Sequence, residues 1–439
     1  MSKVETECLM TVGQTATGQI LLFPKDVKTL KGQVLESLDS RSGPLALHQE
    51  TFPQFIKYMG SKTKILDFVI SGLNEVYEGG GVCDLFAGSA SLAGAIGDQV
   101  PFVSNDIQRY SAVLAGAYLM QEDLPCTISA ACLIEDARPL AEDLLHSIGP
   151  YTNYDSITER EAFVRAENDA LNLHLKPLPQ KHHLFTRFYS GTWWSAEQCA
   201  WIDALRSVAD RHEGHAHHLI LATIMHAMAY CGQGTGHFAQ YRDATTDHAF
   251  QDIVRYRKRS ITDYFARKWH KDALPLTRRR PVQGHQLLSK DYVDCLETLR
   301  PCTVYADPPY CFVHYSRFYH ALETLVRYDY PEIQHKNGKM VKGRYRAERH
   351  QSPFSIGTQV PGAFTKLFQG VQASGSNLVL SYSNTGMITL EKLQSLAQAT
   401  LGSSYDLQVL TMAHVHMTMG RAKDRAREVT EALLLARKK

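Results

Sequence analysis

Hydrophobic positions follow two different periods along the chain, and the change of period divides it. Gly81-Val-Cys-Asp-Leu-Phe86 is a short apolar run that meets a small-residue turn, Ala87-Gly-Ser-Ala-Ser91. The pattern predicts a buried strand feeding a helix over 92–97. Pro101-Phe-Val-Ser104 predicts a second strand ending at Asn105-Asp106, and 111–120 has helical spacing. Strand and helix alternate, as in a doubly wound parallel sheet. Over 151–275 strand signals become scarce. There Ser195, with Gln198 three residues on, makes a capping pair ahead of the apolar face Ala200, Trp201, Ala204, Leu205 and Val208. Residues 219–230 predict another helix. Strand signals return at Cys302-Thr-Val-Tyr-Ala306 and Asn377-Leu-Val-Leu-Ser381. Two further strands, 406–412 and 429–435, have no clear helix between them and predict a terminal antiparallel hairpin.

The expected fold class is therefore α/β: a doubly wound, Rossmann-like sheet with a terminal antiparallel hairpin and a mainly helical insert. The expected divisions are an N-terminal extension over 1–50, a first part of the α/β domain over 51–145, the insert over 146–281 and a second part over 282–439.

Composition narrows the class. A chain of 439 residues, 44% hydrophobic and 21% charged, buries real cores, which excludes disorder along most of its length. The best apolar stretch, 219–231, is too short for a bilayer and contains His226. Residues 1–18 lack an apolar signal core. None of the nine cysteines is spaced C-x-x-C, so neither a disulfide framework nor a structural zinc site is expected, and a reducing cytoplasm is the expected location. Net charge is only +2, but 252–280 carries +7 and 332–350 carries +4, leaving −9 for the rest. Positive charge concentrated on an acidic body suits a polyanion-binding face, and a pair of solvated segments would read the same way.

Asp307-Pro-Pro-Tyr310 directly follows an apolar strand. Two prolines end the ladder and fix a rigid loop at the strand's carboxyl end, where open α/β sheets bind ligands. Asp307 and the Pro308 carbonyl can accept both hydrogens of one amino group, while Tyr310 stacks on a planar ring. Such acceptors draw an aromatic amine toward tetrahedral shape and free its lone pair. The alternative is a proline-rich turn with a capping Asp. The turn Asp84-Leu-Phe-Ala-Gly-Ser-Ala90 lets a ligand touch backbone, yet it is neither a phosphate loop nor a G-x-G-x-x-G fingerprint. Asp106 follows Gly88 by 18 residues, a spacing at which a carboxylate reaches ribose hydroxyls. The clustered histidines, His212, His215, His217 and His218 among them, stand at no metal-ligand offset, and no metal is expected.

In order, Tyr58-Met-Gly-Ser-Lys62, Asp84-Leu-Phe-Ala-Gly88, Asn105-Asp106-Ile107, a long insert and Asp307-Pro-Pro-Tyr310 resemble the alpha group of adenine-specific DNA methyltransferases. That group includes the DNA adenine methylase family and relatives in restriction–modification systems. Cys231-Gly-Gln-Gly-Thr-Gly-His-Phe-Ala-Gln240, Tyr319-His-Ala-Leu-Glu-Thr324 and Arg327-Tyr-Asp329 are also similar to family segments, and the resemblance spans about 52–385. It implies a methyltransferase sheet, S-adenosylmethionine as cofactor and double-stranded DNA as substrate. It implies methyl transfer to the 6-amino group of a flipped-out adenine, site-specific, beside a cognate restriction or defence-system protein and away from membranes. On it, Asp307, Pro308, Pro309 and Tyr310 are catalytic. Tyr58, Lys62, Asp84, Phe86, Gly88, Asp106 and Ile107 hold the cofactor, with Lys62 on its carboxylate and Asp106 on its ribose. The basic windows then offer Arg255, Arg257, Lys258, Arg259, Lys342, Arg344 and Arg346 to DNA, with 421–427 as a second clamp. Two departures stand out. Ala90 replaces a loop glycine, which narrows the room beside the cofactor, and Gly284-His285 stands where the family often has Gly-Asp. A cytosine 4-amino group, RNA or a protein amide as acceptor remains open, as does a DNA-binding relative without catalysis.

Overall fold

The computed structural model describes residues 11–14, 20–23, 44–47, 52–122, 124, 128–234, 236–279, 282–417 and 426–439. Seven strands make one sheet: β1 (Val82–Asp84), β2 (Phe102–Asn105), β3 (Gln286–Leu288), β4 (Thr303–Ala306), β5 (Asn377–Ser383), β6 (Tyr405–Met417) and β7 (Ala426–Lys438). Their spatial order is β6-β7-β5-β4-β1-β2-β3. β1 to β5 pair in parallel, whereas β7 runs antiparallel to both β5 and β6. The sheet is therefore the doubly wound one expected, closed by the terminal hairpin. β3 had no strand signal, because it is three residues long, lies at the edge and is only partly buried.

β1, β4 and β5 are buried at every position because helices cover both faces, which is why they read as unbroken apolar runs. Alternate residues still choose sides. Val82, Tyr305, Val379, Leu433 and Leu435 join one apolar cluster. Cys83, Val304, Ala306, Leu378, Leu380 and Leu434 join the other. Gly72 lets the helix Leu66–Val76 lie close on the sheet, since a Cβ there would sit 2.6 Å from Leu433 Cδ1.

The middle of the chain is helical, as its pattern predicts: Ala130–Ile148, Arg160–Leu171, Ala196–Ala209, Gly214–Cys231, Asp247–Arg257 and Ile261–Lys268. The capping pair forms at the start of Ala196–Ala209. Gln198 N–H donates to Ser195 Oγ at 3.1 Å, and Ser195 N–H donates to Gln198 Oε1 at 2.9 Å. These helices share one core with the sheet, for Trp193, Trp194 and Trp269 belong to the same cluster as Leu66 and Phe102. Ala130–Ile148 itself runs through the expected division at 145/146.

β7 pairs with β5 only from Glu431, opposite Ser383, to Ala436. The hairpin thus continues past Ser383, the carboxyl end of β5, toward the side where the parallel strands discharge their loops. The basic residues Arg421, Lys423 and Arg425, and most of 1–50, lie outside the described residues. Within 1–50, Thr11–Gln14 pairs with Ile20–Phe23, and Leu45 is buried and exchanges two backbone hydrogen bonds with the Asn74 side chain. Among the described residues no helix is long and apolar enough to cross a membrane.

Candidate active site

Strand order reverses between β1 and β4, so the loops leaving their carboxyl ends diverge and open a crevice. The cleft there holds about 1200 Å³ of space open to solvent. Its lining includes Tyr58, Lys62, Asp84, Phe86, Gly88, Asp106, Ile107 and the whole tetrapeptide Asp307 to Tyr310. Every residue expected to be catalytic or to hold the cofactor therefore meets in one place.

Lys62 stands at its centre. Its Nζ lies 3.1 Å from Glu431 Oε2, 3.3 Å from Asp307 Oδ1 and 3.4 Å from the Tyr310 hydroxyl, to which it donates. The Tyr310 ring is 5.0 Å below the same ammonium. Burial opposes the charge on Lys62, but the carboxylates of Asp307 and Glu431 outweigh it and hold the ammonium well above its ordinary range. Lys62, expected on a cofactor carboxylate, has its charge engaged here by two acids. Asp307 Oδ1 is shielded from solvent and makes no aligned hydrogen bond, its contact with the Lys62 ammonium at 3.3 Å being an ion pair. The Asp307 carboxyl is raised to about 6: burial pushes it up, Lys62 pulls it down and Glu431 pushes it up again.

The small-residue loop supplies the opposite wall. Gly88 has φ +52° and no room for a Cβ, which would lie 2.9 Å from the Tyr58 hydroxyl. Tyr58 is held by stacking on Tyr319 at 4.7 Å between ring centres. Ala90 also has a left-handed backbone, φ 57°, but is fully buried and does not line the cleft. Its methyl group does not narrow the cavity, contrary to expectation; the substitution acts through backbone strain instead.

Asp106 Oδ2 accepts Gly88 N–H at 3.0 Å and Oδ1 accepts Gln108 N–H at 2.8 Å. One lone pair on each oxygen stays free, and burial raises this carboxyl to about 6. Asp84, at the end of β1, keeps one buried oxygen without a partner. Burial, then the charges of Asp307 and Asp106, raise it strongly. Phe86 packs against Phe354 and Tyr292, and Ile107 is 38% exposed on the cleft wall.

Two site residues escaped the sequence reading. Glu431 lies on β7, 369 positions from its partner Lys62. Asp291 lines the cleft, whereas His285 does not. His285 Nδ1 accepts Phe102 N–H at 3.1 Å and ties β3 to β2. Asp291 begins the helix Tyr292–Thr298 by accepting Val293 N–H at 2.9 Å. Its signal in the sequence was an N-cap Asp sixteen residues before Asp307.

The expected DNA-contacting residues divide. Arg257 is turned inward. It meets both Glu167 oxygens, at 2.5 Å for the closest pair, and donates to the carbonyls of Thr192 and Trp193. Arg344 is buried on the carbonyls of Phe188 and Leu171, and Arg346 forks onto Asp329 at 2.7 and 2.8 Å. The expectation of phosphate contacts fails for these three, because each guanidinium neutralises or caps an interior group. Arg259 is half-buried, bonded to the Tyr230 carbonyl and stacked on Tyr256. Arg255, Lys258 and Lys342 are exposed, Lys258 beside Asp155 and Lys342 beside Asp243. The histidines serve the fold: His215, His217 and His218 bond backbone carbonyls, and His182 pairs with Asp210.

A sheet of this order, with an acid-lined cleft at its switch point and the terminal hairpin beside it, defines a Rossmann-like methyltransferase fold. The model of the D12 class N6 adenine-specific DNA methyltransferases matches residues 58–374, and the chain belongs to that family. It is 23% identical over 350 residues to the modification methylase LlaI of Lactococcus lactis subsp. lactis, covering 78% of this chain and 48% of that protein. It is 24% identical over 352 residues to the type II methyltransferase M.FokI of Planomicrobium okeanokoites, covering 78% and 47%. It is 20% identical over 354 residues to the modification methylase StsI of Streptococcus sanguinis, covering 78% and 46%. The chain spans about half the length of these curated relatives.

Proposed function

We propose that this chain methylates the 6-amino nitrogen of adenine in double-stranded DNA, at specific sites, within a restriction–modification or related defence system. The observation that carries the reading is the meeting of Asp307, whose Oδ1 has no aligned hydrogen bond, and Tyr310 with the Gly88 loop across one cleft. S-adenosylmethionine, when bound, supplies an electrophilic methyl group. The residues present fit it: the free lone pairs of Asp106 suit ribose hydroxyls, and the Gly88 backbone leaves no side chain between ligand and loop. Phe86 and Ile107 offer apolar faces to a purine, and Asp291 an acceptor at its edge.

The protein's own part is positioning. Adenine is extruded from the duplex, at a cost of a few kcal/mol, and Tyr310 recovers part of this by stacking. Asp307 and the Pro308 carbonyl accept the two amino hydrogens, which directs the nitrogen lone pair across the cleft. No covalent enzyme intermediate is required, and alignment of two reactants contributes up to about 7–11 kcal/mol. Burial of Asp307 strengthens its hydrogen bond to the amine.

The test is to incubate the protein with unmethylated genomic DNA and radiolabelled S-adenosylmethionine, and to identify the modified nucleoside by mass spectrometry. N6-methyladenine from the parent, and none from Asp307→Ala with an unchanged melting temperature, is the expected result. N4-methylcytosine, or label in RNA or protein alone, overturns the reading.

A further inference from the structure

The two segments that wall the cleft mouth are tied together. Ser316 Oγ donates to the His350 carbonyl at 2.5 Å, and Ser355 Oγ donates to the Val313 carbonyl at 3.2 Å. His314, Ser316 and His350 line the cleft, whereas their neighbours Arg317 and Arg349 stand outside its lining. Both guanidiniums lie against one ring, Tyr345, at 4.7 and 5.9 Å from its centre. Neither has a carboxylate partner among the described residues. Arg317, which is exposed, donates one hydrogen bond, to the Ala239 carbonyl at 3.3 Å. Arg349 is odder: its Nε and Nη1 are shielded from solvent and donate to nothing.

Two neighbouring cations without an anion repel each other, and shielded donors without acceptors lose their hydration. Stacking on Tyr345 offsets part of this, since an aromatic face attracts cations. It does nothing for the in-plane N–H groups of Arg349. An anion drawn to the exposed parts of the two guanidiniums would offset their repulsion. Because the pair lies outside the cleft, the anion comes from outside too. Phe312, two residues beyond Tyr310, is 83% exposed beside the same mouth, an apolar ring left uncovered among the described residues.

We propose that Arg317 and Arg349 grip a phosphodiester of the DNA strand that carries the extruded adenine, and that Phe312 lies against a base of that strand. The proposal rests on the DNA-methyltransferase reading above. A flipped nucleotide brings its phosphates to the rim of the cleft it enters, and it leaves an unstacked neighbour for an aromatic ring to cover. The basic charge that the buried Arg257, Arg344 and Arg346 do not offer to DNA is supplied here, beside the reacting base.

The test measures methyl transfer to unmethylated genomic DNA against DNA concentration and salt. Each lost phosphate contact flattens the slope of log kcat/KM against log salt by about 0.9. Arg317→Gln and Arg349→Gln are each expected to flatten it, by at most about 0.9 for the one phosphate they share, with unchanged S-adenosylmethionine affinity by calorimetry, and Arg349→Lys should keep the parental slope. Phe312→Ala should lower kcat/KM about tenfold and leave the slope alone, because a stacked ring is uncharged. Parental slopes in both glutamine variants overturn the clamp, and a parental kcat/KM in Phe312→Ala overturns the stacking contact. A parent that methylates no DNA refutes the underlying reading instead. Should Arg349→Gln fail to fold, exposed Arg317 carries the test.

Discussion

Removing the charge of Glu431 should shift the acid limb of the pH–rate profile, and removing that of Lys62 should shift it the other way. On the proposed mechanism Asp307 must be ionised to accept a hydrogen from the target amine. With its carboxyl raised to about 6 by burial, activity should fall about tenfold per pH unit below about 6. The sign follows from the groups around it. Glu431 raises the Asp307 pKa, so Glu431→Gln lowers it and extends activity to more acid pH. Lys62 lowers it, so Lys62→Met raises it and cuts activity off at higher pH. Lys62 Nζ lies 3.1 and 3.3 Å from the two acids. Carboxylates sharing one ammonium so closely are about 6 Å apart, and at an effective dielectric of about 20 unit charges there interact by roughly 3 kcal/mol. That is about two pKa units, and water in the open cleft reduces the expected shift to about one. The assay is single-turnover methylation from pH 5 to 8 at saturating DNA and cofactor, with circular dichroism at each pH to exclude unfolding. Limbs that coincide in the three proteins, or that move in the same direction, would refute the electrostatic coupling.

Asp106→Ala should weaken S-adenosylmethionine binding by about 1–3 kcal/mol in calorimetry, since it removes acceptors from the cleft wall and frees Gly88 N–H. Tyr310→Phe keeps the stacking face and should retain substantial activity, while Tyr310→Ala should lose about 1–3 kcal/mol of base stacking, read as a higher KM for DNA. Arg257→Ala leaves Glu167 buried and unpaired, so urea denaturation should report a loss of about 3–5 kcal/mol. Its salt slope for DNA should remain parental, in contrast to Arg317→Gln.

Legibility in the sequence followed local pattern. Strands β1, β4 and β5, the capping box at Ser195 and the terminal hairpin show in it, as apolar runs and a Ser/Gln spacing, although the strands pair with partners far along the chain. Asp307-Pro-Pro-Tyr310 was readable because two prolines leave a strand only one way to end. Arg257 was not, because its partner Glu167 lies 90 positions away and a count of local charge cannot register it. Glu431 carried no signal at all: one acid in an alternating strand looks solvated until the register sets it opposite Ser383 and beside Lys62. Asp291 was hidden in a second role, since an Asp before a helix already has a reason to exist.

The placement of Glu431 bears on what the hairpin is for. A parallel sheet could end at β5 with its edge covered by a helix. Here β7 continues it in the opposite direction and brings a carboxylate, 2% exposed, to the carboxyl end of the sheet. Without Glu431 the cation of Lys62 would have Asp307 alone as its acidic partner, and a tight one-to-one pair would hold the acceptor that the proposed mechanism gives to the amine. A second carboxylate at 3.1 Å, nearer than Asp307 at 3.3 Å, divides the claim of Lys62 and leaves Asp307 Oδ1 without an aligned hydrogen bond. Two acids sharing one ammonium also cost more to bury than one, a cost that only the packing around β7 sustains. The last strand of the chain thereby sets the charge state of the loop that begins at Asp307. On the proposed mechanism this makes the hairpin part of the chemistry as well as the edge of the fold.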